Sequence, residues 1–433
     1  MQTPAINEIL TSMENKISTG KPLVKGWCPG ALRPMLSGDG LVVRIRPPAG
    51  RLSHEQAAGI AELAQRFGNG LIDLTNRANL QLRGVMPATL TELTDGLRGL
   101  ELIDASPEIE ARRNIVVTPF WTAGDGTLHI AEALANALSQ PGAPALPSKF
   151  GFAVDTASQL VLQTTPADIR IERRAGSLFV YADGFSCGAQ VSFEQAVPVA
   201  IALAHWCVSN MAAQLANPRQ SLRLAQARLP AMFQVPLPVL LPELLSELLP
   251  ELSPAPSIAQ EANLSAQIGV NPHGYLVGIV LGQMSAQLLM KLVETAACFG
   301  SGSLRMTPWR MLLIEQLFDA HDLPQSPGLI IRADDPLLRV VACSGAPACL
   351  QANIDTRALA RVLAPYVPVD ALLHISGCSK GCAHQKATMT LVGTPAGIDM
   401  IRCGNAAATP DVFAVPTDTV LQELKRLLHA TPI

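Results

Sequence analysis

Residues 53–82, SHEQAAGIAELAQRFGNGLIDLTNRANLQL, align without a gap with residues 285–314, SAQLLMKLVETAACFGSGSLRMTPWRMLLI. Both carry an F-G-x-G turn (Phe67, Gly68, Gly70 and Phe299, Gly300, Gly302). Thr75 falls opposite Thr307 and Leu80 opposite Leu312. Ile60, Leu63, Ala64 and Phe67 recur at helical spacing, which predicts a helix before the glycines. Alternating apolar residues bounded by glycine predict a strand after them. A strand-like stretch precedes each copy, DGLVVRIR at residues 39–46 and HGYLVGIV at residues 273–280. Each copy therefore reads as strand, helix, glycine turn, strand.

The similarity continues outward. After the first copy come a strand near residues 113–118 (RNIVVT), a helix near 130–137 and a strand near 149–154 (KFGFAV). After the second come a strand near 339–343 (RVVAC), a helix near 354–363 and a strand near 372–376 (LLHIS). Between the copies, residues 235–256 (VPLPVLLPELLSELLPELSPAP) read as a proline-punctuated linker. The expected fold is α+β, a duplicated body with pseudo-twofold symmetry and a cleft between halves, where ligands commonly bind. The expected units are a first half-domain over 20–100, its companion without a metal centre over 101–232, and a linker over 233–258. A second half-domain over 259–330 and a cysteine-bearing domain over 331–433 complete the chain.

Composition narrows the function classes. The 433 residues carry a formal net charge of −3, and a nucleic-acid partner usually needs a basic face. No apolar run approaches the roughly 20 residues that span a bilayer. The first residues, MQTPAINEILTSMENK, lack the apolar block of a signal peptide. The expected compartment is the cytoplasm, where thiols stay reduced. The internal duplication already supplies pseudo-symmetry, which favours a monomer.

Nine cysteines are unevenly spread, and four fall in one stretch. Cys343-Ser-Gly-Ala-Pro-Ala-Cys349 is C-x5-C, and Cys378-Ser-Lys-Gly-Cys382 is C-x3-C. Four thiolates in two close pairs suit an iron–sulfur cluster or a tetrahedral zinc. Structural zinc favours tighter pairs, so C-x5-C leans toward a [4Fe–4S] cluster. Gly345, Pro347, Gly377 and Gly381 let backbone N–H groups turn toward the sulfurs. Cys28, Cys187, Cys207, Cys298 and Cys403 are single and read as small core hydrophobes.

A second chemical signal is cationic. In the run Thr75-Asn-Arg-Ala-Asn-Leu-Gln-Leu-Arg-Gly84, period-two alternation puts Arg77, Asn79, Gln81 and Arg83 on one strand face. Arg112 and Arg113 open the next strand, Lys149 starts another, and Lys380 lies inside the cysteine turn. Any one of these is ordinary surface charge. Several at matching strand ends point to a polycarboxylate ligand, because guanidinium forks grip carboxylates two-pronged.

These residues together resemble the siroheme-dependent sulfite and nitrite reductase superfamily. The resemblance rests on T-x-R-x-x-x-Q-L-R-G at residues 75–84, Arg113-Asn114, P-x-K-F at 147–150 and the four cysteines, and covers nearly the whole chain. It implies a duplicated sulfite/nitrite reductase-like architecture with ferredoxin-like half-domains. It implies a [4Fe–4S] cluster on Cys343, Cys349, Cys378 and Cys382, with Arg77, Arg113 and Lys149 on the acidic arms of a tetrapyrrole. Reductases typically carry a second lysine two residues after the first, and here that residue is Gly151. A small anion such as sulfite needs a dense positive pocket. Gly26-Trp27-Cys28-Pro29-Gly30, Pro34-Met35 and Gly38-Asp39-Gly40-Leu41 are similar to the precorrin-3B synthase family within the superfamily. That resemblance implies oxygen-dependent hydroxylation of precorrin-3A at C20, with γ-lactone formation, in aerobic cobalamin biosynthesis. It also implies a mononuclear non-haem iron in place of siroheme, the tetrapyrrole being substrate.

The implied donor is NADH. No G-x-G-x-x-G follows a strand, so an electron-donor protein is expected to stand between. No two-His-one-carboxylate pattern marks an iron site. His374 and His384 flank the second cysteine pair and read as packing residues before ligands. Two other readings stay open, a siroheme-dependent sulfite or nitrite reductase and a non-catalytic iron–sulfur or zinc protein that binds a tetrapyrrole.

Overall fold

The structure, a computed structural model, describes residues 28–183, 188–214, 266–386 and 388–429. The linker expected at 233–258, Gly26, Trp27 and Cys187 lie outside the described residues. The first half runs β1 (Met35–Ser37), β2 (Gly40–Ile45), β3 (Arg51–Leu52), α1 (His54–Phe67), β4 (Leu71–Leu74), β5 (Leu80–Val85) and α2 (Leu90–Gly99). It continues α3 (Pro107–Arg112), β6 (Ile115–Val117), α4 (Thr127–Ser139), β7 (Phe152–Asp155), β8 (Ile169–Arg174), β9 (Ser177–Ala182), β10 (Ala189–Val191) and α5 (Ala196–Gln214). The second half runs β11 (Gly269–Asn271), β12 (Gly274–Ile279), β13 (Gln283–Ser285), α6 (Ala286–Phe299), β14 (Leu304–Met306), β15 (Met311–Glu315) and β16 (Leu329–Ile330). Then follow β17 (Val340–Ala342), α7 (Thr356–Leu363), β18 (Leu373–Ser376), β19 (Thr388–Thr394), β20 (Gly397–Gly404), β21 (Val412–Val415) and α8 (Val420–His429).

Four sheets result, in two matching pairs. One has the order β1-β2-β5-β4-β13 and its counterpart β11-β12-β15-β14-β3. Each half thus lends a short strand to the other's sheet: β13 pairs with β4 (Met284 opposite Ile72), and β3 with β14 (Leu52 opposite Leu304). The other pair, β10-β9-β8-β7-β6 and β17-β18-β19-β20-β21, each has two parallel steps and then two antiparallel ones.

Local chemistry explains why the repeats fold alike. Ser53 and Gln56 form a capping box at α1, and Ser285 accepts from Leu288 N–H at α6. Such a cap stabilises a helix by about 1 kcal/mol. Both helices end where Ala64 O accepts from Gly68 and Gly70, and Ala296 O from Gly300 and Gly302. Gly70 and Gly302 take φ of 76° and 79°, a left-handed conformation that a side chain would strain.

One apolar core serves both lending sheets. It includes Ile60, Ala64, Leu80 and Leu82 from the first half with Leu289, Leu292, Leu312 and Ile314 from the second. Each such residue contributes roughly 1.5–3 kcal/mol when fully buried. The remaining sheets have their own cores beneath α4 and α5, and beneath α7 and α8.

The alignment also pairs Asp73 with Arg305 and Arg83 with Glu315, which reverses the charges. In the first half the Arg83 and Asp73 side chains lie 3.6 Å apart; in the second, Arg305 and Glu315 lie 2.5 Å apart. Each carboxylate also takes a donor from the opposite half. Gln283 donates to Asp73 at 2.9 Å, and Arg51 to Glu315 at 2.9 Å. Two buried latches of opposite polarity thus join the halves.

Candidate functional site

The run at 75–84 is not one strand face. Thr75 Oγ1 accepts from the backbone N–H groups of Arg77 and Asn79, closing a turn, and Ala78 takes φ 54°. Thr307 closes the matching turn onto Trp309 and Met311. Arg77 and Asn79 therefore belong to the turn, and only Gln81 and Arg83 to β5. Asn79 is buried, and Gln81 accepts from Arg44 at 2.7 Å.

Arg83 is buried too, so it does not line an open face. Its guanidinium bonds Asp39 in two-pronged fashion and donates to Ala348 O at 2.8 Å. Ala348 precedes Cys349, so this first-half arginine clips the C-x5-C loop. Ser37 Oγ donates to the same carbonyl, and so does the Gly38 N–H, at 3.1 Å. A side chain on Gly38 would run into Pro347 O.

Arg113 is likewise engaged, two-pronged on Asp104 and donating to Arg46 O. Arg112 donates to Ala143 O at 3.4 Å. Sequence reading passed over the dyad beneath them. Buried Arg46 pairs with Glu110 at 3.0 Å, and burial pushes the guanidinium down to about 10. Glu110 accepts from the Ala31 and Leu32 N–H groups, so the dyad anchors the chain that follows Cys28. No spacing rule could have exposed a pair 64 residues apart in sequence.

Lys149 is exposed on a loop pinned from both sides. Asn114 Nδ2 donates to Ser148 O at 3.3 Å and Phe150 O at 3.2 Å, and Phe150 anchors the far end in the core. Arg77 Nη2 donates to Lys149 O at 2.8 Å. Two predicted cations from distant segments thus meet. They meet beside the second half, because Lys149 lies within electrostatic reach of the Cys382 thiol.

The cysteine loops converge as well. Cys378 is buried, Cys343 and Cys349 are half-buried, and Cys382 is exposed. Burial, with the charges of Cys382, Cys349 and Cys343, pushes the Cys378 thiol up to about 11. Lys380 and Lys149 lie within electrostatic reach of the Cys382 thiol. The Gly377 N–H donates to Cys343 Sγ at 3.2 Å. Among the described residues, no three His, Cys, Asp or Glu side chains gather to hold a single metal ion. The fit to a cluster rests on the donor set itself: four thiols in mutual electrostatic reach, one already receiving a backbone N–H, with Lys380 and Lys149 beside Cys382. A coordinating thiol is deprotonated by the metal it binds.

His374 is buried, and its ring meets that of His384 edge-on at 5.8 Å. Burial, then His384 and Arg310, push His374 down to about 4. The core reading of the single cysteines holds for Cys207, whereas Cys298 and Cys403 are exposed and Cys28 is half-buried. At Gly151 the backbone is fully engaged. Its N–H donates to Asp168 Oδ2 at 2.8 Å, and a Cβ would stand 3.2 Å from Asn114 O.

Residues 33–100 match the nitrite/sulfite reductase ferredoxin-like half domain. The chain has a nitrite/sulfite reductase-like fold. A Mycobacterium tuberculosis NirA structure superposes on this fold with a TM-score of 0.64 at 17% identity, covering 90% of this chain and 81% of that one. Precorrin-3B synthase from a Sinorhizobium species is 28% identical over 404 residues, 90% of this chain and 85% of the relative. A ferredoxin–nitrite reductase from Synechococcus elongatus is 25% identical over 400 residues, 83% of this chain and 77% of the relative. These similar proteins are oxidoreductases. Among the described residues of this nitrite/sulfite reductase-like chain, no helix is long and apolar enough to cross a membrane.

Proposed function

We propose that the chain is an oxidoreductase acting on a tetrapyrrole, as a precorrin-3B synthase. It would hydroxylate precorrin-3A at C20, one atom of O2 entering the ring as an acetate arm closes the γ-lactone. The other atom would leave as water with two electrons and two protons. NADH would supply the electrons through a separate donor protein.

The observation that carries this reading is the meeting of Arg77 and Lys149 with the exposed Cys382 and its neighbour Lys380. Cations from one half thus border a thiol of the other, where a polycarboxylate ring can lie between them. Cys343, Cys349, Cys378 and Cys382 would hold a [4Fe–4S] cluster, which supplies single electrons when bound. Arg77 and Lys149 would bind the acidic arms and orient the ring. Asn114 would keep the Lys149 loop in place, and Arg83 the C-x5-C loop. Of the remaining predicted substrate residues, Asn79, Gln81, Arg112 and Arg113 act through what they hold rather than by direct contact. No residue here is assigned to a mononuclear iron.

Gly151 works against a siroheme reductase. The position where reductases carry a second lysine is packed against Asn114 and bonded to Asp168 on both its N–H and its carbonyl.

The test is anaerobic purification with a visible spectrum and an iron and sulfide count. Turnover of precorrin-3A with O2 and reductant follows. A broad cluster band without sharp tetrapyrrole bands, and a product heavier by one oxygen atom, is the expected result. Bound siroheme with oxygen-independent reduction of nitrite or sulfite overturns it.

A further inference from the structure

Arg83 has a counterpart on the other cysteine loop. Arg310, in the turn between β14 and β15, donates from Nη2 to Ala383 O at 3.3 Å. Ala383 directly follows Cys382, as Ala348 directly precedes Cys349. Each cysteine pair is therefore clipped at a backbone carbonyl by an arginine from a lending sheet, one arginine per half.

The two arginines differ in how their charge is met. Arg83 has Asp39 at 2.7 Å and Asp73 at 3.6 Å. Arg310 forms no ion pair among the described residues. The carboxylate within its electrostatic reach is Asp73, which Arg357 already bonds at 2.9 Å. The Cys343 sulfur also lies within its electrostatic reach. Its backbone is held in a left-handed conformation, φ 62°, and its side chain lies across Gly282, where a Cβ would strike it. The guanidinium is thus fixed, half-buried and short of an anion.

A guanidinium does not shed its proton to escape burial. A buried charge is costly unless something of opposite sign faces it. The geometry points to Arg310 as the counter-charge of the cluster, a positioning residue that holds the Cys382 loop and offsets the charge of the thiolate-bound iron. This rests on the four cysteines holding a cluster, as proposed above. A nearby positive charge stabilises the reduced cluster, which is more negative by one electron, and cluster potentials respond to such charges and hydrogen bonds.

The experiment compares wild type, Arg310→Gln and Arg310→Lys, each purified anaerobically. Iron and sulfide content and a cluster titration against redox dyes are read for all three. Glutamine keeps a donor for Ala383 O and drops the charge, whereas lysine keeps the charge. At fixed ambient potential, Arg310→Gln is expected to lower the reduced-to-oxidised ratio about tenfold, a fall of ~59 mV for one electron. Arg310→Lys should stay close to wild type. Cluster loading by Arg310→Lys but not Arg310→Gln also supports the assignment, since charge then governs assembly. A fully loaded Arg310→Gln with wild-type potential overturns it, and so does failure of both variants to load, which marks a role in shape alone. Wild type without iron and sulfide overturns instead the cluster reading beneath it.

Discussion

Glu315→Gln tests whether the polar latches hold the halves together. Glu315 accepts from Arg51 Nε at 2.9 Å and Nη2 at 3.0 Å, from Arg305 Nε at 2.5 Å and from Ser301 Oγ at 2.9 Å. Arg305 also lies over the Trp121 ring at 3.6 Å and donates to Pro119 O and Trp121 O. One carboxylate thus ties β3, β14, β15 and the loop after β6. Burial opposes its ionisation, yet the Arg51 and Arg305 hydrogen bonds and the Arg305 charge hold it down at about 2, from an ordinary 4.5. At 1.36 kcal/mol per pH unit this corresponds to at most about 3 kcal/mol. Arg51 is 40% exposed, and solvent screens its share. The expected cost of Glu315→Gln is therefore about 2 kcal/mol at neutral pH, below the roughly 3–5 kcal/mol of a fully buried pair.

The pH dependence separates charge from shape. A carboxylate whose folded value is depressed stabilises above its unfolded value, and that contribution is lost as pH falls toward the folded one. The gap between wild type and Glu315→Gln should be full at pH 6, begin to close near 4.5 and be largely lost as pH falls to about 2. Urea midpoints across that window, with Trp fluorescence as probe, measure it. A gap independent of pH, or none at pH 6, refutes the latch as an electrostatic device.

Three further outcomes follow from the site. Cys382→Ser should leave the purified chain without its cluster, which an iron and sulfide count checks; a fully occupied cluster there contradicts the ligand assignment. Asn114→Ala frees both flanks of Lys149 and should raise KM for the tetrapyrrole on the order of tenfold, about 1.4 kcal/mol, with kcat little changed. Steady-state kinetics decide it, and an unaltered KM removes Asn114 from substrate positioning. Gly38→Val presses against the backbone at Pro347 and Ala348. It should cost roughly 1–3 kcal/mol by overpacking and lower cluster content, which thermal melts and iron analysis read together.

The repeats were legible because their signals are local. A serine cap, an apolar helix face and an F-G-x-G turn each act within a few residues, and α1 and α6 formed where the spacing put them. The lent strands were not legible. β3 and β13 have two and three residues, too few for a period, and only tertiary pairing makes them strands. The 75–84 run misled for a related reason. Its alternation ran through a turn whose left-handed residue is an alanine, Ala78, rather than glycine or the neighbouring Asn76 or Asn79. The fate of individual arginines was hidden as well. Arg77 and Arg83 look equivalent in sequence, yet one reaches the Lys149 loop and the other is sealed between Asp39 and Ala348 O. Pairing of that kind is decided by partners 44 to 265 residues away.

In a duplicated fold with a thiol donor set in one half only, the matching place in the other half must be closed some other way. Thr118 N–H donates to Val154 O at 2.9 Å just as Cys343 N–H donates to Ile375 O at 3.3 Å, so Thr118 occupies the position of Cys343. By the same register Asp155 stands where Ser376 leads into Cys378. In the first half those strand ends are filled from within. Asp155 accepts the Val161 and Leu162 N–H groups at 2.7 Å each, and Thr127 and Thr156 share a buried hydroxyl contact at 2.7 Å. Both loops are thereby tied down by N–H···O and O–H···O hydrogen bonds that need no metal. In the second half the same ends carry thiols, which form only weak hydrogen bonds, and Gly377 instead points its N–H at sulfur. The division of labour follows from this exchange of donors. The first half closes these strand ends with its own residues, while under the proposed function the second half would gain its order there from the cluster.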